Sequence, residues 1–414
     1  MRISSLKGTT RSMFTDVRLF AIATSFLAVF LVGCGGSDTA NQPDSAQGTH
    51  IAYVGTYTGG VSSSGMQRPT GGSEGIYAFR FDSASGELTA LGLASESPNP
   101  SFLALHPSGA YLYAVNEGDP AHESGGSISA FRIDHATGDL TFLNKVDSKG
   151  QSPCHLVVDK TGSAVFAANY VGGSVISYRL NPDGSIGELA SFFQHEGSSV
   201  TPRQAGPHAH GAYLSADSRF LFVPDLGLDK VVIYDVNAAT GELSNHDPPS
   251  VSLPAGTGPR HFAFAPDEEH AYVLGEIAST ITVFSYDAAS GEMTELQSVS
   301  TLPEGFDDAS TTAEIAISSD GKFVYASNRG HDSIATFAVD PANGTLTFVE
   351  HEPTQGRTPR NFAIDPSGAY LFAGNQATHN IVQFRRDVES GKLTATGLAL
   401  DSPSPICMVF VPLS

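Results

Sequence analysis

A short apolar phrase with a polar tip recurs seven times along this chain of 414 residues. The copies read IAYVGTY (51–57), YLYAVNE (111–117), AVFAANY (164–170), FLFVPDL (220–226), AYVLGEI (271–277), FVYASNR (323–329) and YLFAGNQ (370–376). Their sixth residues, spaced 47 to 60 positions apart, are Thr56, Asn116, Asn169, Asp225, Glu276, Asn328 and Asn375. A period of this length, with several short strands in each unit, is the signature of a propeller blade.

Four strands fit each repeat, as the sixth copy illustrates. Its strands are predicted at TTAEIAIS (311–318), KFVYASN (322–328), SIATFAVD (333–340) and TLTFVEHE (345–352). The intervening SDG and PANG segments supply the Asx and glycine residues that tight hairpins need. We therefore predict an all-β fold, a seven-bladed β-propeller.

The first repeat lacks an innermost strand, because HIAYVGTY (50–57) is already the second-strand phrase. A matching segment lies at the other end of the chain, where PSPICMVFVP (403–412) has the same shape as PNPSFLALHP (98–107). We predict that this C-terminal strand completes blade one and closes the ring. Closure would remove the exposed edges that an open array of blades would leave.

The N-terminus has the pattern of an export signal. A basic stretch that ends at Arg18 precedes the apolar run 19–33, which is too short and too terminal for an ordinary spanning helix. The run ends at Cys34, and LVGC (31–34) resembles the bacterial lipoprotein signal, in which the cysteine is acylated and anchors the protein. A plain signal peptide with a chance cysteine is the alternative.

This pattern defines the predicted organisation of the chain. A signal peptide occupies 1–33, a flexible polar tether runs over 34–48 from the lipidated Cys34, and the propeller spans 49–414. Such a protein is an exported bacterial lipoprotein that faces the periplasm or the cell exterior. In a cell with two membranes, the lack of Asp directly after Cys34 favours the outer membrane. The net charge of −21 argues against nucleic-acid partners, whose phosphates require Lys and Arg. We expect a monomer that meets the membrane only through its anchor.

Polar residues converge where first strands begin and second strands end, on one face of the central channel. The first-strand starts are Ser101, His155, His210, Arg260, Glu314 and Arg360. The second-strand ends are Asn116, Asn169, Asp225, Glu276, Asn328 with Arg329, and Asn375. Asn and Asp at such places commonly cap turns, which is the alternative to a binding role for them. Buried Arg and Glu are costly without partners, so their presence favours a ligand site.

Several of these segments resemble one known family. GPHAHGAYLSADSRFLFVPDLGLDKVVIYD (206–235), GPRHFAFAPDEEHAYVLGE (258–276), AEIAISSDGKFVYASNRGHDSIATF (313–337) and TPRNFAIDPSGAYLFAGNQ (358–376) are similar to the seven-bladed lactonase family. That family includes propeller-type 6-phosphogluconolactonases and the fungal carboxy-muconate cycloisomerase. The resemblance implies a catalytic set of a His, an Arg, a Glu and a second Arg. These fall on His210, Arg260, Glu276 and Arg329, with Arg360 as the alternative for the second Arg.

The residue types suit lactone opening, which needs an activated water, a positive group for the oxyanion and an acid for the leaving alkoxide. His210 or Glu276 is the candidate base or acid, and the sequence does not choose between them. Arg260, Arg329 or Arg360 would bind a carboxylate or stabilise the oxyanion. The predicted substrate-binding residues are His155, His208, Asn169, Asp225, Glu314, Asn328, Arg360 and Asn375. We predict hydrolysis of a sugar-acid lactone without a metal or other cofactor.

Two other classes of function stay open at this point: a non-enzymatic binding platform, and a cycloisomerase acting on a muconate-like dicarboxylate. His208 and His210 lie two residues apart, as a metal pair might on one strand face, but no third ligand is evident and we predict no metal. Cys154 lies beside His155, and we interpret it as packing rather than as a reactive thiol. Cys154 and Cys407 fall in blades that are not neighbours, so no disulfide between them is expected.

Overall fold

The computed structural model describes residues 48–60, 70–119 and 121–413. The predicted signal peptide, Cys34 and all of the tether except Gly48 lie outside these ranges. The described residues form 28 strands and one 3-10 helix, Pro202–Gln204. Over the same ranges, no helix has the length and apolar character needed to cross a membrane.

The strands form seven antiparallel sheets of four strands, one for each blade. Blade one contains β28 (Pro405–Pro412), β1 (Thr49–Thr56), β2 (Gly75–Asp82) and β3 (Glu87–Glu96). Blade two contains β4 (Pro100–Leu105), β5 (Tyr111–Glu117), β6 (Gly126–Ile133) and β7 (Leu140–Asp147). Blade three contains β8 (Pro153–Val158), β9 (Ala164–Asn169), β10 (Ser174–Leu180) and β11 (Ile186–Gln194). Blade four contains β12 (Tyr213–Leu214), β13 (Phe220–Asp225), β14 (Lys230–Val236) and β15 (Leu243–Ser252).

The remaining three blades repeat this plan. Blade five contains β16 (Pro259–Phe264), β17 (His270–Gly275), β18 (Thr280–Tyr286) and β19 (Met293–Ser300). Blade six contains β20 (Thr311–Ile317), β21 (Phe323–Arg329), β22 (Ser333–Val339) and β23 (Leu346–Pro353). Blade seven contains β24 (Pro359–Ile364), β25 (Tyr370–Asn375), β26 (Asn380–Arg386) and β27 (Leu393–Asp401). The predicted all-β, seven-bladed propeller is confirmed.

The C-terminal strand closes the ring as predicted. Strand β28 pairs antiparallel with β1, with Ile51 opposite Val411 and Val54 opposite Met408. Blade one is therefore built from both ends of the described chain. Cys407 lies within β28, and both it and Cys154 are buried free cysteines.

Tyrosines in the second strands connect neighbouring blades. Tyr113, Tyr272 and Tyr325 are fully buried, and each hydroxyl donates a hydrogen bond to a turn carbonyl of the next blade. The acceptors are Gly184 O at 3.0 Å, Gly344 O at 3.0 Å and Gly391 O at 2.9 Å. All three glycines have positive φ, between 70° and 83°, a conformation that glycine adopts without strain. Apolar packing between blades is thus supplemented by a repeated polar contact.

A β-bulge interrupts the innermost strand of several blades. In blade five, Pro259 pairs with Gly275 and His261 pairs with Leu274, so Arg260 is left out of the ladder. The same extra residue occurs at Ser101, Cys154 and Arg360. A bulge bends the strand and redirects side chains, and bulges are common beside active sites.

The pairing also corrects the sequence alignment of the fifth repeat. Gly275, not Glu276, stands opposite the strand-opening proline, where the other blades place Asn116, Asn169 or Asn375. Glu276 therefore lies one position beyond those asparagines. Its equivalents are the residues that follow the polar tips, namely Tyr57, Glu117, Tyr170, Leu226, Arg329 and Gln376.

Candidate active site

Glu276 is the centre of a cluster of arginines. It follows the end of β17 and is 2% exposed. Its Oε1 is 2.8 Å from Arg203 Nη1 and 2.7 Å from Arg329 Nη2. Its Oε2 is 3.0 Å from Arg260 Nε. One carboxylate thus faces three guanidinium groups from three different parts of the chain.

The arginines decide the charge of this carboxylate. Burial alone would raise the pKa of Glu276, but the charges of Arg329, Arg203 and Arg260 hold it far below its usual range. Glu276 is therefore ionised at any working pH and is a weak base. The three cations outnumber the single anion, which leaves the cluster with an excess of positive charge that favours an anionic ligand.

His210 stands beside the carboxylate. Its Nε2 is 3.9 Å from Glu276 Oε2, and its Nδ1 is 3.6 Å from Cys154 Sγ. Burial, together with the charge of Arg260, places the pKa of His210 well below the usual value of a histidine. The imidazole is consequently neutral near pH 7 and can accept a proton.

Aromatic contacts fix the neighbouring imidazoles. The ring of Tyr170 stacks on His208 with centroids 4.7 Å apart and meets His210 edge-on at 5.0 Å. His208 Nδ1 donates a hydrogen bond to Tyr170 O at 2.9 Å. His208 and His210 therefore flank one tyrosine ring, and His210 is the one that reaches Glu276.

Arg203 is a site residue that the sequence analysis missed. It lies in the 3-10 helix Pro202–Gln204, in the connection between β11 and β12, and its side chain is 41% exposed. Its Nε donates to Tyr170 Oη at 3.0 Å while Nη1 contacts Glu276. The TPRQ segment beginning at Thr201 is a capping-box pattern, which could have marked this helical turn. Nothing in the repeat, however, predicts that the turn reaches the channel.

His155 and Glu314 make their contacts with a second group of buried residues, which also contains His261 and is called the second layer below. His155 packs against Phe102 with ring centroids 4.0 Å apart and against Tyr213 at 4.6 Å. Glu314 Oε1 is 2.8 Å from His261 Nδ1. The structure thus separates these two residues from the cluster around Glu276, although the sequence placed them with Arg260 at the strand starts.

The predicted asparagines are occupied by backbone contacts. The side-chain amide of Asn169 donates to Ser148 O at 3.0 Å, that of Asn328 to Thr301 O at 2.8 Å, and that of Asn375 to Thr354 O at 3.0 Å. All three asparagines are completely buried. These contacts match the turn-capping alternative considered from the sequence.

Asp225 is likewise directed away from Glu276. Its Oδ1 accepts hydrogen bonds from the backbone N–H groups of His208 at 2.7 Å and Gly227 at 3.0 Å. Its Oδ2 is 2.6 Å from His195 Nδ1. Asp225 therefore organises the loop that carries His208 and is not part of the arginine cluster.

Arg360 stands beside the cluster without joining it. Its guanidinium lies 5.5 Å from the ring centre of Tyr57, whose hydroxyl donates to Glu117 Oε2 at 2.8 Å. The charge of Arg360 contributes to the lowered pKa of His210. Of the two candidates for the second arginine, Arg329 contacts Glu276, and Arg360 acts on the site from a distance.

One protein family matches nearly the whole propeller. The family model described as "Lactonase, 7-bladed beta-propeller" matches residues 51–410. The chain belongs to this lactonase family. It is 38% identical to a 6-phosphogluconolactonase of Bacillus subtilis (strain 168), over 87% of this chain and 98% of that protein. It is also 38% identical to a 6-phosphogluconolactonase of Formosa agariphila, over 70% of this chain and 81% of that protein.

A solved structure of a gluconolactonase is also similar to this chain. The periplasmic gluconolactonase PpgL of Pseudomonas aeruginosa superposes with a TM-score of 0.80 at 33% identity, over 88% of this chain and 100% of that chain. The resemblance to the lactonase family deduced from the sequence motifs is therefore confirmed.

In this lactonase propeller the donor set around Glu276 does not suit a divalent cation. Three guanidinium groups surround the carboxylate and would repel a metal cation. Within the described ranges, no group of three His, Cys, Asp or Glu side chains is arranged to hold a metal ion. The arrangement can instead orient an anionic or polyhydroxylated ligand and stabilise a developing oxyanion.

Proposed function

We propose that the chain hydrolyses a sugar-acid lactone, as a 6-phosphogluconolactonase-like enzyme that needs no metal. The observation that carries the proposal is the Glu276 cluster, in which a buried carboxylate holds Arg203, Arg260 and Arg329 at one point of the channel. Opening of a lactone places negative charge on the carbonyl oxygen in the transition state. Fixed cationic donors at that position stabilise this charge without reorganising.

In the proposed mechanism His210 is the base and Glu276 orients the water. His210 Nε2 and Glu276 Oε2 are 3.9 Å apart, so one water can donate a hydrogen bond of about 2.8 Å to each of them. His210 takes a proton as the water oxygen attacks the lactone carbonyl carbon. Arg260 and Arg329 bind the resulting oxyanion. The ring C–O bond then breaks, and the protonated His210 returns the proton to the leaving alkoxide, which yields the hydroxy acid.

The substrate proposed is an aldonolactone that carries hydroxyl groups or an anionic group. The excess of guanidinium groups supports the anionic character, and the names of the relatives support the sugar-acid class. Phosphorylated and unphosphorylated gluconolactones are therefore the first two compounds to compare.

Acid release followed in a pH-stat tests this function. We expect the purified protein without its predicted leader to hydrolyse at least one of these lactones at an unchanged rate in the presence of a chelator. Glu276→Gln should lower kcat/KM at least about tenfold, because it removes the charge that orders the arginines. Glu295→Gln, on the exposed face of β19, is the matched control and should behave like the parent protein. Rates equal to buffer across a lactone panel would instead favour a binding platform.

We further propose that the protein is exported and anchored by an acylated Cys34, and that it is otherwise a monomer. The LVGC motif at the end of the apolar run supports acylation. The periplasmic address of the Pseudomonas aeruginosa relative supports export. Cys34→Ala should move the protein from the membrane fraction to the soluble fraction of the exporting cell. Retention of the variant in the membrane fraction would contradict the lipid anchor.

A further inference from the structure

A chain of hydrogen bonds leads from Arg260 into the second layer of the channel. Arg260 Nη1 is 3.0 Å from His261 Nε2, and His261 Nδ1 is 2.8 Å from Glu314 Oε1. A guanidinium can only donate, so His261 Nε2 must accept. The proton of the neutral imidazole therefore resides on Nδ1, from which it is donated to Glu314. All three residues are buried.

The other neighbours of Glu314 are also donors. The backbone N–H of Ile315 donates to Oε1 at 3.1 Å, and the amide of Asn361 donates to Oε2. The orientation of Asn361 is fixed, because its Oδ1 accepts the N–H of Met408 at 3.1 Å. All three contacts thus use Glu314 as the acceptor, and an ionised carboxylate satisfies them together. The same contacts connect the innermost strands of blades five, six, seven and one.

The β-bulge explains why this chain of contacts exists. Consecutive residues of a regular strand point to opposite faces of the sheet. Because Arg260 is the unpaired residue of a bulge, both Arg260 and His261 reach the neighbouring strand β20, at Ala313 O and Glu314 respectively. The bulge thereby couples the site to the second layer.

We propose that His261 and Glu314 are positioning residues of the lactonase site, which set the imidazole tautomer and thereby hold the Arg260 guanidinium against Glu276. The proposal rests on the lactonase function proposed above. His261 supplies the acceptor for Arg260, and Glu314 keeps that acceptor available. Neither residue needs to contact the substrate.

Protonation of Glu314 would reverse the arrangement. Of the three donors around Glu314, only His261 can become an acceptor. A protonated carboxyl would therefore donate to His261 Nδ1, and the imidazole would carry its hydrogen on Nε2. Two donors, that N–H and Arg260 Nη1, would then oppose each other across 3.0 Å. Arg260 would lose its hydrogen bond to His261 and keep only its contacts with Ala313 O and Glu276, so its guanidinium would be held less firmly and activity would fall.

The surroundings of Glu314 place this change near neutral pH. Burial raises the pKa of Glu314 to about 7, against the opposing charge of Arg260 and the hydrogen bond from Ile315. The titratable or polar groups that face it from the other innermost strands are Arg260, His261, His155, Tyr213, Asn361 and Cys407. Burial is the main reason why the pKa values of His155 and His261 both lie well below the usual value of a histidine. They stay neutral while Glu314 titrates.

The pH profile of Glu314→Gln tests the proposal. For the parent protein, kcat should fall about tenfold from pH 8 to pH 6, since about a tenth of a group with this pKa is ionised at pH 6. KM should change less than about threefold, because Arg260 acts mainly on the transition state. Glutamine retains an acceptor for His261 Nδ1 but does not titrate, so kcat of Glu314→Gln should vary less than about twofold over this range. Its amide nitrogen opposes that of Asn361, so the shape of the profile is compared and not the absolute rate.

The His261→Phe variant is a second test of the positioning role. It keeps a ring of similar size but removes both nitrogens, and kcat should fall about tenfold at pH 8 with KM nearly unchanged. His261→Gln retains an acceptor for Arg260 and should recover part of this loss. His246→Phe is the matched control, since His246 is another largely buried imidazole whose Nδ1 contacts a carboxylate, that of Asp235 at 2.8 Å. It should retain the parent profile.

The outcomes separate the two proposals. Parent activity with the parent pH profile in folded Glu314→Gln and His261→Phe would overturn the positioning role and leave the lactonase function intact. A parent protein with no activity on any lactone at any pH would overturn the lactonase function, and the positioning role with it. Circular dichroism establishes folding before the kinetics, and Glu314→Gln alone decides if His261→Phe does not fold.

Discussion

Glu276 owes its character to its neighbours. A carboxylate buried to this extent without charged partners would bind a proton. The three arginines keep Glu276 ionised, and its negative charge in turn holds their guanidinium groups in place. Arg203 differs from the other two because its side chain is partly exposed and lies over the ring of Tyr170, with the guanidinium 5.9 Å from the ring centre. It is the arginine best placed to meet a ligand entering from solvent.

Arg203→Ala should therefore weaken substrate binding more than it slows the chemical step. One charge-assisted hydrogen bond is worth about 1.5 kcal/mol, so KM for an anionic lactone should rise about tenfold with kcat within about threefold. Steady-state kinetics on a phosphorylated and an unphosphorylated lactone measure the effect. Arg219→Ala, which removes an exposed ion pair with Asp217, is the control. An unchanged KM in Arg203→Ala would exclude this contact.

The sequence predicted part of this site and missed part for identifiable reasons. His210, Arg260, Glu276 and Arg329 were predicted together, and the structure brings them together. Arg203 was not predicted because it lies in a connection that is not part of the repeat. His261 was not predicted because a residue next to Arg260 in a regular strand would point to the opposite face of the sheet. The bulge that redirects its side chain cannot be recognised from the neighbouring sequence. Hydrogen-bond partners decide such cases, and partners are a property of the assembled ring.

At the scale of the elements, the second strands combine apolar packing with one repeated hydrogen bond. Tyr113, Tyr272 and Tyr325 each reach a glycine carbonyl in the next blade. Tyr53 occupies the equivalent place in blade one and is equally buried, but its hydroxyl has no hydrogen-bond partner among the described residues. Tyr325 and Tyr53 therefore allow a buried hydroxyl with a hydrogen bond to be compared with one that has none.

Tyr325→Phe should lower the free energy of unfolding by about 1 kcal/mol, because it removes a buried hydrogen bond and leaves Gly391 O without its donor. Tyr53→Phe removes a hydroxyl that makes no such bond and should leave stability unchanged or slightly raised. Urea unfolding followed by circular dichroism measures both. Equal losses in the two variants would show that the inter-blade hydrogen bonds do not contribute to stability.

The strand plan itself was predictable, because it depends on periods that recur in every blade. For blade six, the predicted strands agree with β20 to β23 to within one residue. The exception was the fifth repeat, where alignment by pattern put Glu276 one position too early, and only the pairing of Pro259 with Gly275 reveals the offset. Pattern alone cannot detect such a shift when both positions are polar or small.

At the scale of the whole molecule, the charges of the site and of the protein have opposite signs. The chain carries a net charge of −21, while the cluster around Glu276 has more cations than anions. An approaching anion therefore meets repulsion at long range and attraction at short range. Salt screens the long-range field between exposed charges more than it screens partly buried contacts.

The expected consequence is an unusual dependence on ionic strength. For an anionic lactone, kcat/KM should rise as salt is increased from about 10 mM to about 100 mM, because the Debye length shrinks from about 30 Å to about 10 Å. For an uncharged lactone it should stay constant. Initial rates at low substrate concentration measure both. A fall for the anionic lactone would mean that the local arginine field dominates at all distances.

The bulged residues can vary in chemical character without disturbing the blades that carry them. Ser101, Cys154, Arg260 and Arg360 differ in size and charge, yet the pairing of the strands around them is the same. Because each is left out of the ladder, its side chain can be exchanged without altering the register of its blade. The propeller therefore offers a set of positions at which specificity can be redesigned, blade by blade, on an architecture that does not have to be rebuilt.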